Sequence, residues 1–181
     1  MIAKPTPIPG VLILEPKVFC DERGFFLETF NRTALADFGI TEDFVQDNQS
    51  FSKRNVLRGL HYQIPYAQGK LVRVLSGEIF DVALDLRRKS KTFGRWFGMS
   101  LSAESKLSLW IPSGLAHGFR VLSDTAEVLY KTTDFYHPEC ERTILWNDAN
   151  VAIDWGMGTD PILSDKDRRG TLFREAEVFE D

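Results

Sequence analysis

Residues 80–86 read Phe-Asp-Val-Ala-Leu-Asp-Leu, and this segment decides the fold class. Successive side chains of a β-strand point to opposite faces of the sheet. Asp81, Ala83 and Asp85 therefore share one face, and the other face carries only apolar side chains. The alternation predicts a β-strand with one core face and one wetter face.

Similar short apolar runs lie on both sides of this strand. Between Val45 and Thr133 they are separated by Gly, Pro, Ser or Asn, which is typical of many short antiparallel strands. The predicted strands are residues 45–52, 56–63, 70–75, 79–86, 94–101, 107–111, 119–122 and 126–133. Such spacing predicts an all-β sandwich or barrel.

Helix is scarce in the predicted fold. Asn31 is in place to cap a short helix over residues 32–38, and Ser164 is in place to cap a turn through Asp167. No long linker, low-complexity tract or repeat divides the chain. We therefore expect residues 1–181 to form a single domain.

Composition excludes several classes of protein. The 181 residues are 43% hydrophobic and 27% charged, which excludes a disordered or fibrous chain. The net charge of -4 provides no overall basic field, so we expect neither nucleic acid nor a membrane as a partner. The N-terminal residues are broken by prolines and no apolar run reaches 18 residues, so neither a signal peptide nor a membrane span is expected. Cys20 and Cys140 lack a metal-binding spacing and are expected to be reduced, in a cytoplasmic protein.

Two of the three histidines lie in polar segments with glycines nearby. These segments are residues 58–63, Arg-Gly-Leu-His-Tyr-Gln, and residues 112–117, Pro-Ser-Gly-Leu-Ala-His. They resemble the two signature motifs of the cupin superfamily, in which two histidines of the first motif, a glutamate and a histidine of the second motif bind a metal. Gln63 and Lys70 occupy two of those four positions here. Because an ammonium group repels a divalent ion, we expect no metal and expect Lys70 to stabilise an oxyanion instead.

Seven motifs follow one another along the chain. They are Asp21-Glu22-Arg23-Gly24-Phe25-Phe26-Leu27-Glu28, Gln46-Asp47-Asn48, Arg58-Gly59-Leu60-His61, Gln68-Gly69-Lys70, Ile111-Pro112-Ser113-Gly114-Leu115-Ala116-His117-Gly118-Phe119, Tyr130-Lys131 and Trp146-Asn147-Asp148. In this order they resemble the dTDP-4-dehydrorhamnose 3,5-epimerase family, over about residues 11–167. The resemblance implies a cupin-like antiparallel jelly roll or β-barrel with a few short helices. It also implies epimerisation of dTDP-4-keto-6-deoxy-D-glucose at C3 and C5 to dTDP-4-keto-L-rhamnose, in dTDP-L-rhamnose biosynthesis, without metal or organic cofactor.

The chemistry of this reaction explains the residue types. Both protons lie next to the C4 ketone, so removing either gives an enolate whose charge falls on the same oxygen. Inversion needs a base on one face of the sugar and an acid on the other. His61 is the expected base, because imidazole titrates near neutral pH. The resemblance implies Asp167 as its carboxylate partner, Tyr130 as the proton donor and Lys70 as a further catalytic group. The residues alone also allow a helix capping box of Ser164 with Asp167, and a core or rim position for Tyr130.

The resemblance further implies a set of substrate-binding residues and a homodimer. Arginine guanidinium groups suit diphosphate oxygens, and an aromatic ring at Tyr136 suits stacking on thymine. In the family an N-terminal segment, here about residues 1–30, reaches across the dimer. We also expect a short helical tail over about residues 160–181. The implied binding residues are Arg23, Phe26, Glu28, Gln46, Asn48, Arg58, His117, Tyr136, Glu141 and Lys166.

Three alternative functions are weighed against this one. A one-centre epimerase, acting at C3 or C5 of a dTDP-4-keto-6-deoxyhexose in a secondary-metabolite pathway, shares the scaffold, and Tyr130 favours the two-centre enzyme. A metal-dependent cupin is disfavoured by Gln63 and Lys70. A noncatalytic sugar-nucleotide-binding module is expected to lack His61 or its carboxylate partner, and both are present.

Overall fold

The computed structural model describes residues 1–156 and 158–180, and these consist mainly of antiparallel strands. The strands are β1 (Ile2–Pro5), β2 (Leu12–Glu15), β3 (Val18–Asp21), β4 (Gly24–Leu27), β5 (Gln46–Lys53), β6 (Leu57–Gln63), β7 (Lys70–Ser76), β8 (Glu78–Asp85), β9 (Trp96–Ser102), β10 (Ser108–Ile111), β11 (Leu115–Val121), β12 (Thr125–Thr132) and β13 (Glu141–Thr143). Two short α-helices, α1 (Arg32–Ala36) and α2 (Asp165–Arg168), and 3-10 turns at Pro138–Cys140 and Phe173–Glu175 complete the described elements. None of these helices has the length and apolar character needed to cross a membrane.

The strands form two packed sheets and a separate hairpin. One sheet has the order β1-β2-β10-β7-β12-β5 and the other the order β13-β6-β11-β8-β9, while β3 and β4 pair only with each other. Apolar side chains from both sheets fill the space between them, among them Val72, Val74, Ile79 and Val121. The all-β, cupin-like jelly roll predicted from the sequence is confirmed.

Each sheet is also covered on its outer face. Val82 and Leu84 of β8 point away from the barrel and pack with Trp155, Phe173 and Phe179 of the C-terminal segment. On the other sheet, the outer residues Leu14, Leu71 and Trp110 pack against Leu35 of α1 and Ile40 of the chain that follows it. The C-terminal segment is therefore part of the packed structure.

The prediction that one face of β8 is wetter than the other is wrong. Asp81, Ala83 and Asp85 are fully buried, because this face points into the barrel. Buried carboxylates require hydrogen-bond partners, and both aspartates find them inside the protein. The alternation identified the two faces of the strand, but it carries no signal for the C-terminal segment that buries the outer one.

Asp85 ties the end of β8 to the loop that follows it. Its Oδ1 accepts hydrogen bonds from the backbone and side chain of Arg87, and its Oδ2 accepts from Ser90 Oγ and Thr92 Oγ1, both at 2.6 Å. Burial alone raises the pKa of this carboxyl, but the hydrogen bonds outweigh burial and lower it to about 2. The ionised carboxylate therefore stabilises the folded state.

Asp85→Asn tests this contribution. We expect the variant to lose about 3 kcal/mol of unfolding free energy at pH 7, because one partner of a buried charge network is removed. The contribution of the carboxylate is present above the ordinary aspartate pKa and is lost as the pH falls towards the folded-state value of about 2. Urea unfolding at pH 7 and below pH 3 should show the difference between wild type and variant shrinking in acid. The control is Asp124→Asn, an exposed ion-pair residue; an equal loss in both variants would contradict the assignment.

Several element boundaries differ from the predicted ones. β11 begins at Leu115 and not at residue 119, because His117 and Gly118 are held between β6 and β8 although the segment reads as a glycine-flanked loop. α1 ends at Ala36 instead of Phe38, and its predicted cap is correct, with Asn31 Oδ1 accepting from Ala34 N at 3.1 Å. The strands that were not predicted are β1, β2, β3, β4 and β13. Each is only three or four residues long, so its alternation is too short to recognise.

Candidate active site

The two sequence segments that contain His61 and His117 become neighbouring strands. β6 pairs with β11, and the two histidines are directly opposite each other in the register. Gly59 lets these strands approach closely: it has φ +117, and a Cβ there would lie 2.6 Å from Gly118 Cα. The pair is thus fixed side by side in one wall of the barrel.

A cavity of about 280 Å³ opens in front of this wall. β5, β7 and β12 of the six-stranded sheet form the opposite wall, so the cavity lies between the sheets. Ten of the fourteen site residues implied by the family resemblance line it, namely Gln46, Asn48, Arg58, His61, Lys70, His117, Tyr130, Tyr136, Glu141 and Lys166. An eleventh, Asp167, lies directly behind His61.

His61 and Asp167 form a close pair. His61 Nε2 lies 2.6 Å from Asp167 Oδ1; a quarter of the histidine side chain is exposed, whereas the carboxylate is buried. Asp167 N donates to Ser164 Oγ, so Ser164 does cap α2, as the sequence allowed. Because no backbone N–H of the cap uses the carboxylate, Asp167 can lie in the first turn of the capped helix and hold His61 at the same time.

The environment sets the protonation state of this pair. Burial lowers the pKa of His61 below its usual value, despite the opposing effect of Asp167. Burial raises the pKa of Asp167, but hydrogen bonds from His61, Ser164 and Gly59 outweigh it and lower that pKa. Near neutral pH the pair is therefore a neutral imidazole and a carboxylate. The Nε2–H group of His61 donates to Asp167, so the lone pair that can accept a proton is on Nδ1 of the same ring.

Lys70 brings a buried positive charge to the cavity. Its side chain is almost fully buried, and Nζ donates to the backbone oxygen of His61 at 3.1 Å. Burial lowers the pKa of this ammonium group to about 8, while the nearby carboxylates of Glu141 and Asp81 oppose the shift. The group is therefore still charged near neutral pH, close to the backbone of the expected base.

Gln63 also lines the cavity, but its amide is engaged by the backbone of neighbouring loops. Its Nε2 donates to the backbone oxygens of Tyr66 and Phe135, and its Oε1 accepts from His137 N at 2.8 Å. The amide thus fastens two loops. At the two metal-ligand positions of the cupin motif, this chain has an amide engaged with backbone and an ammonium group.

Tyr130 faces the cavity from the opposite sheet. It lies on β12, directly opposite Asn48 of β5. Burial raises the pKa of its phenol, which is partly offset by Arg58, so the hydroxyl keeps its proton at neutral pH. His61 and Tyr130 therefore offer a proton acceptor and a proton donor from two different walls.

The structure also shows residues that the sequence did not indicate as functional. Asp81 Oδ2 lies 2.9 Å from His117 Nε2, and both side chains are buried. Within the described residues, Asp81 Oδ1 and the cavity-lining Ser50 Oγ are buried without a hydrogen-bond partner. The sequence signal that could have pointed to Asp81 is its position on the polar face of β8.

One end of the cavity is built from a chain of polar contacts. Lys166 Nζ donates to Glu141 at 2.8 Å, and Tyr136 Oη donates to the same carboxylate at 3.1 Å. Gln46 accepts from the backbone of Tyr136 and donates to Asn48 Oδ1. Tyr136 is half exposed, so its ring lies at the rim, where a flat ligand group has access.

Three residues of the implied set lie elsewhere. Arg23 and Phe26 belong to the β3–β4 hairpin and Glu28 follows it; none of them lines the cavity of its own chain. Arg23 pairs with Asp21, Glu28 accepts from Asn31 at 3.0 Å, and Phe26 is 70% exposed. Within one chain the structure does not bring them to His61.

This combination defines a class of protein: a jelly-roll enzyme with a His–Asp pair and a buried cation at one cavity. The sequence profile described as dTDP-4-dehydrorhamnose 3,5-epimerase matches residues 5–175. A relative of that name from Pseudomonas aeruginosa is 59% identical over 173 residues, covering 95% of this chain and 96% of its own. The chain belongs to the dTDP-4-dehydrorhamnose 3,5-epimerase family.

Solved structures agree with this assignment. A dTDP-6-deoxy-D-glucose-3,5-epimerase from Legionella pneumophila, in complex with dTDP-4-keto-L-rhamnose, has a TM-score of 0.97 and 49% identity, covering 99% of this chain and 98% of its own. A 3'-monoepimerase from Streptomyces bikiniensis in complex with dTDP-quinovose has a TM-score of 0.88 and 32% identity, covering 94% and 87%. The resemblance noted from the sequence motifs is confirmed.

The protonation state of His61 can be measured directly. In protein labelled with ¹⁵N-histidine, we expect the His61 ring to titrate below the usual histidine pKa and to show the Nε2–H tautomer. Asp167→Ala should lower the pKa of His61 further, because this carboxylate is what raises it. A pKa that rises in the variant, or an Nδ1–H tautomer in the wild type, would contradict the arrangement.

Proposed function

We propose that the chain works as a two-centre epimerase through proton abstraction by His61. It converts dTDP-4-keto-6-deoxy-D-glucose to dTDP-4-keto-L-rhamnose, in dTDP-L-rhamnose biosynthesis, and uses no metal or organic cofactor. The observation that carries this proposal is the 2.6 Å contact of His61 with the buried Asp167 at a cavity that also holds Lys70. Family membership supports the substrate, and the geometry supports the roles of the residues.

His61 is the base in each epimerisation. Its Nδ1 takes the proton from C3 or C5, and Asp167 stabilises the imidazolium that forms and fixes the ring orientation. A lowered pKa keeps the ring neutral and able to accept a proton at physiological pH. A positioned general base contributes roughly 10²–10⁴-fold to the rate.

The electrons of the broken C–H bond form a double bond to C4, and the π electrons of the C4 carbonyl move to its oxygen, which becomes negatively charged. Lys70 and His117 stabilise this oxyanion, and Asp81 orients His117 through their 2.9 Å contact. Because both reacting carbons are attached to the same carbonyl, one anion site serves both steps. Lys70 is suited to this task, since its side chain is almost fully buried and a charge acts more strongly there than in water.

Tyr130 completes the inversion by donating its phenolic proton to the opposite face of the carbanion centre. The step leaves a phenolate and an imidazolium, and proton exchange with solvent restores both before the second centre reacts. His61 and Tyr130 lie on opposite walls of one cavity, which supports this division of roles.

The remaining polar residues are proposed to bind the nucleotide. Arg58 and Lys166 provide cations for the diphosphate, which a chain with a net charge of -4 must supply locally. The exposed ring of Tyr136 is placed to stack on thymine, a contact worth about 1–3 kcal/mol per base. Gln46 and Asn48 offer amide groups to the nucleoside.

The alternative is a one-centre epimerase on the same scaffold. The Streptomyces bikiniensis structure has this fold and is a 3'-monoepimerase, so the fold alone does not separate the two functions. Identity favours two centres, because the Pseudomonas relative named as a 3,5-epimerase is 59% identical and the monoepimerase is 32% identical.

The chain is further proposed to act as a homodimer. Among the residues that the structure describes, the β3–β4 hairpin pairs with no other strand, and it exposes three phenylalanines, Phe19, Phe25 and Phe26. Such an apolar projection is suited to burial against another protein surface. We propose that it places Arg23, Phe26 and Glu28 at the cavity of the partner subunit.

Deuterium incorporation tests the reaction and the base together. When purified protein is incubated with dTDP-4-keto-6-deoxy-D-glucose in D₂O, the sugar should gain deuterium at C3 and C5 as dTDP-4-keto-L-rhamnose forms. NMR measures the deuterium at each carbon. His61→Ala should lose exchange at both carbons, and Tyr130→Phe should lose full two-centre inversion.

The matched controls are His137→Ala and Tyr66→Phe, which remove a histidine ring and a hydroxyl that do not line the cavity. Both should keep exchange at both carbons. Exchange and inversion at one carbon only in the wild type would establish the one-centre enzyme. No exchange at all, with nucleotide still bound, would establish a binding module.

The shared site is tested by mixing two inactive variants. A hybrid dimer contains one Arg23→Glu chain and one His61→Ala chain. If each hairpin serves its neighbour, the Arg23→Glu chain has an intact site, because it keeps His61 and receives Arg23 from the other chain. The second site then carries both changes. We therefore expect each hybrid dimer to recover about half of the wild-type activity, measured on dimers isolated with two different affinity tags. A hybrid with no activity would show that the hairpin serves its own chain.

A further inference from the structure

Ser164 makes two hydrogen bonds to Asp167, and only one of them belongs to helix capping. Its Oγ accepts from Asp167 N at 3.2 Å, and its hydroxyl donates to Asp167 Oδ2 at 2.7 Å. Ser164 does not line the cavity. Any effect of this residue on the reaction must therefore act through Asp167.

We propose that Ser164 is a positioning residue for the reaction: by holding Oδ2 of Asp167, it directs Oδ1 towards His61. This inference rests on the proposed role of His61 as base. Ser164 belongs neither to the substrate-binding set nor to the groups that exchange protons.

The Ser164 hydroxyl has a defined direction because the partners of both of its hydrogen bonds are identified. A serine hydroxyl has one proton, and with the backbone N–H of Asp167 on its oxygen, that proton points to Oδ2. At Oδ1, the carboxylate accepts from His61 and from Gly59 N at 3.3 Å. Three donors from three places in the chain thus fix both oxygens of one buried group.

Removing the hydroxyl would have two consequences. Oδ2 would lose the only side-chain donor that the described residues provide for it, and the carboxylate would be held at Oδ1 alone, with a less defined orientation. The remaining charge would also attract the imidazolium form of His61 more strongly, because one competing donor is gone. The first consequence lowers the rate, and the second favours protonated His61.

Other charged groups face this pair and must stay constant in a test. Lys70 and Lys166 both disfavour the protonated form of His61, and Glu141 is paired with Lys166. His117 and Asp81 lie on the neighbouring strands β11 and β8. A change at Ser164 alters none of these side chains.

The test removes the Ser164 hydroxyl, and with it both hydrogen bonds, while keeping helix α2. Glycine is nearly as good an N-cap as serine, so Ser164→Gly keeps α2 but removes the hydroxyl. We expect kcat/KM to fall about 10- to 100-fold with little change in KM, as for other residues that orient a functional group through a second contact. The acid limb of its pH profile should move up by about half a pH unit or more. Ser164→Thr should restore the wild-type rate and profile.

The control is Ser105→Ala, which removes an exposed turn hydroxyl that bonds to the backbone of Ser102 and Leu107 and does not line the cavity. It should keep both the rate and the profile. A Ser164→Gly enzyme with an unchanged acid limb, or a Ser164→Thr enzyme without recovery, would overturn the proposal.

A second measurement does not depend on activity. The ¹⁵N-histidine titration of Ser164→Gly should show a higher pKa for His61 than the wild type does. If the wild type does not exchange substrate protons but this shift is seen, the proposed function fails and the contact to Asp167 stands. An active wild type with no shift in the variant reverses that conclusion.

Discussion

The barrel interior places ionisable groups where water is scarce, and each of them must be stabilised by the protein. Lys70, Asp81, His117 and Asp167 are all buried, and His61 is only partly exposed. An unpartnered charge in such a place is strongly unfavourable, so the arrangement of partners determines which groups are charged. Lys70 remains an ammonium group near carboxylates, and Asp167 remains a carboxylate because three donors hold it. The chemistry proposed for the site depends on this distribution of charge.

The need to stabilise buried charge also explains why the two walls of the cavity carry different kinds of side chain. The five-stranded sheet carries the two histidines, each with an aspartate partner that fixes one ring nitrogen. The six-stranded sheet contributes Tyr130, whose phenol stays protonated because burial disfavours the phenolate. A proton acceptor and a proton donor are thus separated by the width of the cavity, as an inversion requires. Gln63, by contrast, lies close in sequence to His61, but its hydrogen bonds go to the backbone of the loops.

Local pattern was sufficient to predict the class of fold and most central strands, because residues such as Val82 and Leu84 alternate over a long enough run. The motifs around His61 and His117 indicated the site, and the structure brings ten of the implied residues to one cavity. Asp81 was missed, since alternation reports which residues share a face but not whether that face is covered. The start of β11 was also missed, because glycines that read as loop residues are held in the sheet by their neighbours. The hairpin residues Arg23 and Glu28 do not line the cavity of their own chain. Sequence pattern alone does not report how far a residue lies from the cavity, so it could not reveal this separation.

The carboxylate that holds His61 comes from the far end of the chain. Asp167 follows β6 by more than a hundred positions, and its segment is attached to the barrel by Val56 with Ile162, Ile144 with Thr171 and the Tyr62 hydroxyl with Glu177. During synthesis on a ribosome, every described strand is made before Asp167, so His61 gains this carboxylate partner only after the strands of both sheets have been made. A chain cut before α2 lacks that carboxylate whatever its strands do, and it therefore lacks the pair on which the proposed chemistry depends.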